Sequence, residues 1–80
     1  MARKTPVPPV AAEFGERVRR RRERHGWSQM DLAERAGMHF SFVSSIERGQ
    51  RNVTLTSILK IAQGLGVDPA VLIKGLRVDL

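Results

Sequence analysis

The sequence predicts an all-α domain built from five short helices, and three observations carry that expectation. Apolar residues recur at three- and four-residue spacing, as in Phe14 and Val18, Leu32 with Ala33 and Ala36, Val43 and Ile46, and Ile58, Ala62 and Leu65. These stretches are bracketed by start and stop signals: Ser28 and Gly37, His39 and Gly49, Thr54 and Gly66, then Asp68-Pro69. No internal repeat and no alternating pattern of strand length interrupts them. The chain of 80 residues is one domain, near the lower size at which packing alone holds a fold. It contains no Cys, so neither a disulfide framework nor a Cys-based zinc site can help.

Residues 1–10, MARKTPVPPV, hold three prolines between Pro6 and Pro9 and read as an extended arm ahead of the helical domain, 11–76. Arg3 and Lys4 either reach a phosphate or groove or belong to a tail without a role. Residues 77–80 form a short C-terminal tail.

Helix 1 is expected from about Ala11 to His25, with Gly26 ending it. Phe14 and Val18 mark its apolar face, which Arg21 and His25 continue. Six arginines between Arg17 and Arg24 make this the most basic segment. Arg19, Arg20 and Arg24 read as a solvated face, and Glu16 pairs with Arg20 at i,i+4. Arg21 lies on the apolar stripe, so its stem packs while its head reaches solvent. His25 is a helix-terminal cation favoured by the dipole. Trp27 precedes an N-cap and is expected in the core as a hydrophobic staple against Leu32.

Helix 2 starts at Ser28, where Asp31 supplies a weaker form of the Ser-x-x-Glu capping box, and Gly37 ends it in the left-handed conformation. His39 opens helix 3, which runs to about Arg48 before Gly49. After the polar loop GQRNVT, Thr54 caps helix 4 over Leu55–Leu65, with Leu55, Ile58, Leu59, Ala62 and Leu65 expected inward. Helix 5 follows Asp68-Pro69 and runs to about Lys74. Val71, Leu72, Ile73 and Leu76 exceed what one terminal helix must bury, which points to a partner surface continued by Val78 and Leu80.

Fourteen basic and eight acidic side chains give a net charge of +6. That balance favours a polyanion (DNA, RNA or an anionic membrane surface) or serves solubility alone. No apolar run approaches the roughly 20 residues of a membrane span, and no apolar segment follows Arg3 and Lys4 as an export signal would require. A cytoplasmic setting is therefore expected. His25 and His39 are isolated, without a nucleophile partner or metal-ligand spacing, and no glycine-rich phosphate loop occurs. The expectation is a non-enzyme without cofactor or metal.

Helix 3 carries the functional signal. At 100° per residue, Val43 and Ile46 point to one side with Glu47 beside them. Ser41, Ser45 and Arg48 point to the other, with Ser44 at its edge. Small hydroxyls on an outer face let a helix approach base edges in a DNA major groove.

Three stretches, FGERVRRRRERHGWSQMDLAERAG, SSIERGQRN and LTSILKIAQGLGVDP, together resemble the phage repressor and Cro type (XRE-like) of helix-turn-helix DNA-binding domain over about residues 12–76. HFSFVSSIERGQRNVTL is most similar to the controller proteins of restriction–modification systems. The resemblance implies a lambda-repressor-like fold of five helices, with helices 2 and 3 as the helix-turn-helix. It implies that Gln29, Arg48, Arg51 and Asn52 touch phosphates and that Phe40, Ser41, Ser44 and Ser45 meet bases or their sugars. It also implies a buried salt bridge between Arg22 and Glu47, which fits the cost of burying Glu47 unpaired.

Three positions depart from the family pattern. Phe40 stands where a polar residue often opens the recognition helix, and either touches a thymine methyl or folds back as core. Phe42 packs against a sugar or against protein. Arg21 replaces a usual aliphatic residue. The helix offers no Gln or Asn to read a purine with two hydrogen bonds, so only Arg48 or Arg51 remains for that, and sequence preference leans on DNA shape.

The function expected is a sequence-specific transcriptional regulator of double-stranded DNA, acting as a homodimer on a two-fold related operator with half-sites roughly 34 Å apart. Autoregulatory control of a restriction–modification system is the specific form the resemblance implies. The dimer surface is assigned to Val71, Leu72, Leu76, Val78 and Leu80. The alternative is an antitoxin-type module whose main partner is a toxin. RNA binding through helix 1 lacks an exposed aromatic platform.

Overall fold

A computed structural model describes residues 7–78, so Arg3, Lys4 and Leu80 lie outside the described residues, as does most of the Pro-rich arm. Five helices follow one another: α1 (Val10–Arg24), α2 (Gln29–Ala36), α3 (Phe40–Glu47), α4 (Leu55–Leu65) and α5 (Ala70–Ile73), with no strand among the described residues. Each contributes to one core, whose fully buried side chains include Val18, Leu32, Val43, Ile46, Ile61 and Leu72.

The helix ends follow local chemistry. The Ser28 hydroxyl accepts from the Asp31 N–H at 3.0 Å, and the Ser28 N–H donates to the Asp31 carboxylate at 2.9 Å, closing the capping box. The backbone hydrogen bond from Ser28 holds the Asp31 carboxyl below its ordinary range. Gly37 ends α2 at φ 65°. Thr54 accepts from Ser57 N–H at 3.2 Å, and Asp68 accepts from Ala70 N–H at 2.8 Å. The terminal helix is a single turn, shorter than the sequence pattern suggests. Arg17 of α1 secures it by donating to the carbonyls of Lys74 (2.6 Å) and Leu72 (3.5 Å).

Two expectations are corrected. Leu55 and Leu59 are 72% and 46% exposed rather than inward, while Ile61 is fully buried. The cause is the contact with α2. Gly64 packs so closely that a Cβ there would lie 3.0 Å from Ala36 Cβ. This draws the buried arc of α4 round to Gly64 and Ile61 and leaves Leu55 and Leu59 outside it.

Leu72, assigned to a partner surface, is the one inward side chain of a one-turn helix and is fully buried in its own core. Leu76 is half-buried against the same core, whereas Val71, Ile73 and Val78 are exposed.

Trp27 packs against the core as expected but is only half-buried. Its ring stacks on His25 (centroids 3.9 Å apart, planes 9° apart) and carries the Arg35 guanidinium 4.0 Å above it.

Helices α1 and α3 approach at Gly15, where a Cβ would stand 2.1 Å from the Ile46 carbonyl oxygen. Helix propensity alone favours Ala at that position by about 1 kcal/mol. The clash is with backbone, so Gly15→Ala is expected to destabilise the fold by about 3 kcal/mol, measured by urea denaturation. Asp31 supplies a pH test. Its folded-state pKa is depressed, so its contribution is complete above the ordinary value of 3.8 and disappears as pH falls through the lowered one. Asp31→Ala is therefore expected to lower the urea midpoint at neutral pH, with the gap from the parent chain closing well below pH 3.8.

Candidate nucleic-acid interface

The turn from α2 to α3 is short. The Met38 N–H closes back on the Ala33 carbonyl at 2.9 Å, and the chain re-enters a helix at His39. Nδ1 of His39 accepts from the Ser41 N–H at 3.3 Å and lies 2.9 Å from the Ser41 hydroxyl. Helix α3 thus begins with its first polar side chains pinned at the surface. Phe40 is 45% exposed, so it projects outward and does not fold back into the core. Ser41 and Arg48 are exposed, and Ser44 is half-buried.

The inner side of α3 is anchored by charge. Arg22 of α1 donates to both carboxylate oxygens of Glu47, at 2.7 and 2.9 Å. Its third donor reaches the Trp27 carbonyl at 2.7 Å, and Gln29 adds an amide hydrogen to Glu47 at 3.0 Å. The Glu47 side chain is 2% exposed and that of Arg22 12%. The hydrogen bond to Glu47 raises the Arg22 pKa above its ordinary value. One carboxylate therefore ties together α1, the first residue of α2 and the end of α3.

Gln29 is half-buried, and only part of its amide remains open to solvent. One of its two amide hydrogens is engaged by Glu47, which fixes the side chain at the start of α2.

Ser45 is misplaced by the sequence reading, which put it on the outer face. The side chain is buried. Its hydroxyl donates to the Phe42 carbonyl at 2.9 Å and accepts from Arg51 Nε at 3.1 Å. It has no reach to a base edge, and what it does is hold Arg51. The Arg51 guanidinium also lies 5.0 Å above the Phe42 ring. Phe42 packs against the core beneath it. An arginine of the loop after α3 is thereby held in place while remaining exposed, with Asn52 exposed beside it. The sequence gives one sign of this arrangement, an aromatic residue and a small hydroxyl three apart on α3 ahead of a loop arginine.

A helix showing short polar side chains outward, fixed inward by a buried ion pair and joined to its predecessor by a tight glycine turn, is a helix-turn-helix DNA-binding unit. The chain belongs to the helix-turn-helix family of transcription regulators, whose sequence profile matches residues 18–72. It is 46% identical over 57 residues to the control protein C.BamHI of Bacillus amyloliquefaciens, a match covering 70% of each chain. Its structure is similar to the restriction–modification controller protein C.AhdI from Aeromonas hydrophila, with a TM-score of 0.76 and 45% identity over 78% of this chain and 94% of that one. It is also similar to the controller protein C.Esp1396I, solved as a tetramer with its natural 35 base-pair operator. That likeness has a TM-score of 0.77 and 29% identity over 85% of this chain and 90% of the other.

Breaking a buried pair from one side strands a charge. Glu47→Ala and Arg22→Ala are each expected to cost about 3–5 kcal/mol, and Arg22→Met combined with Glu47→Leu to cost markedly less than the sum of the two. A double-mutant cycle in urea measures this, and additive losses would exclude the coupling.

Proposed function

We propose that the chain is an operator-binding regulator that acts as a homodimer on a two-fold related site, with α3 in the major groove, and that it controls a restriction–modification system and its own expression. The observation that carries this reading is the outward face of α3, with Ser41, Ser44 and Phe40 at the surface and Arg48, Arg51 and Asn52 at its end. Similarity to controller proteins, one of them solved on its operator, favours this reading over the toxin-partner alternative.

Roles divide by chemistry. Arg48, Arg51 and Asn52 contact phosphates and set the register, with Gln29 adding its remaining amide hydrogen. Ser41 and Ser44 read base edges, and the exposed Phe40 ring meets a thymine methyl. Hydroxyls discriminate weakly between bases, so a single domain gains little specificity, and a second half-site supplies the rest.

The burial pattern moves the proposed dimer surface. With Leu72 committed to the core, the available apolar side chains are Leu55 and Leu59, one turn apart on α4, and Ile73 on α5. Ile58, beside Leu55 and Leu59 on α4, lines one apolar groove with Ile73 and Leu76. Val71 and Val78 extend the exposed apolar surface at the C-terminal end.

Selection from a random double-stranded pool tests the reading: a two-fold symmetric motif with half-sites about one helical turn apart is expected, and sequence-blind binding would overturn it. Arg48→Ala is expected to weaken operator and non-operator DNA alike and to reduce the slope of log affinity against log salt by about 1. Leu59→Glu is expected to yield a monomer by sedimentation at micromolar concentration, with operator affinity down by about a hundredfold or more.

A further inference from the structure

Helix α1 has two working sides. Gly15 and Arg22 face α3, through the Ile46 carbonyl and Glu47. Arg17, Arg21 and His25, spaced four residues apart, lie on another side that faces the ends of α4 and α5. At its two ends this ridge is occupied: Arg17 donates to the carbonyls that end α5, and His25 Nε2 donates to the Leu65 carbonyl at 3.2 Å. Arg21, between them, is half-buried. Among the described residues, neither Arg21 nor Arg24 has a hydrogen-bond or ion-pair partner.

Both arginines line a cleft of about 290 Å³, together with His25, Leu65, Gly66 and Val67. No acidic side chain lines it. The Leu65 carbonyl at its wall accepts from His25 Nε2. Two free guanidiniums at i,i+3 open onto one concave space, one of them half-withdrawn from water. Both forks keep donors open to that space, and an oxyanion entering it can accept from the two together.

We propose that this cleft is a second anion site, binding a phosphate group through Arg21 and Arg24 on the side of α1 turned away from the reading helix. A carboxylate presents two oxygens, whereas a phosphate presents three or four and bridges two forks at once. The phosphate belongs either to a free phosphorylated small molecule or to a nucleic-acid backbone that passes the domain behind its reading face.

The test uses the whole chain with two probes. Inorganic pyrophosphate is titrated while backbone amide shifts are followed by NMR, with Trp27 fluorescence as a second readout, because His25 stacks on that ring. A free phosphate ligand predicts saturable shifts centred on Gly66 and Val67, weakened about tenfold by Arg24→Gln and abolished by Arg21→Gln with Arg24→Gln. Arg48→Ala should leave these shifts unchanged. A backbone ligand predicts that the double variant lowers the salt slope for a non-operator duplex by about 2. Arg24 is exposed, so its single variant keeps the test valid if the double variant folds poorly. Pyrophosphate shifts absent or spread evenly over all the arginines, together with an unchanged salt slope, would overturn the proposal.

Discussion

The fork between Arg22 and Glu47 is the interaction on which the placement of the recognition helix depends. An apolar contact fixes distance but tolerates rotation about a helix axis. Two parallel hydrogen bonds from a planar guanidinium tolerate little. Helix α3 has eight residues, too few to be stable by itself, and its fully buried apolar anchors are only Val43 and Ile46. With Glu47 clamped at its last turn, and the backbone at Ile46 seated against Gly15, rotation is stopped at the end where Arg48 and Arg51 emerge. Gln29 extends the same network to the first residue of α2, so the two helices of the motif share one buried carboxylate. An ion pair of this kind gives little net stability over a well-packed apolar isostere. What it supplies here is orientation.

The outer face then follows from what the inner face requires. Ser45 lies inward, where its hydroxyl bridges the Phe42 carbonyl and Arg51 Nε. The cost is one fewer hydroxyl available to bases. The gain is an exposed arginine held between a hydroxyl and an aromatic ring, with less side-chain entropy left to lose on binding than a free one has.

Much of this was legible in the sequence where the determinant is local. The bounds of α2 and α4 are set by Ser28, Gly37, Thr54 and Gly66, each acting within one turn of itself, and the structure places them where the residues indicate. That Glu47 needs a partner was legible because a carboxylate on an inward face demands one, whereas its identity as Arg22 is what the family resemblance implies. What was not legible depends on contacts between elements. The phase of α4 is decided by how closely Gly64 approaches Ala36, a contact 28 positions apart that no periodicity within Leu55–Leu65 reveals. The burial of Leu72 depends on α5 being one turn long and held at its end by Arg17, 55 residues earlier. Trp27 packs against the core as its chemistry suggests, but its stacking on His25 and its contact with Arg35 depend on how α1 and α2 are set relative to one another.

The same reasoning changes how the positive charge is understood. A net charge of +6 with six arginines between Arg17 and Arg24 suggests one undifferentiated basic helix aimed at a polyanion. The structure divides it. Arg19 and Arg20 share Glu16, at 2.8 and 3.3 Å, Arg22 is committed to Glu47, and Arg17 is committed to carbonyls of α5. Arg17 and Arg22 thus serve the fold, Arg19 and Arg20 share one surface carboxylate, and Arg48 and Arg51 stand exposed just beyond the end of α3. Arg21 and Arg24 are left over from that division, and their position behind the reading helix is what sets them apart from the charges that hold the domain together.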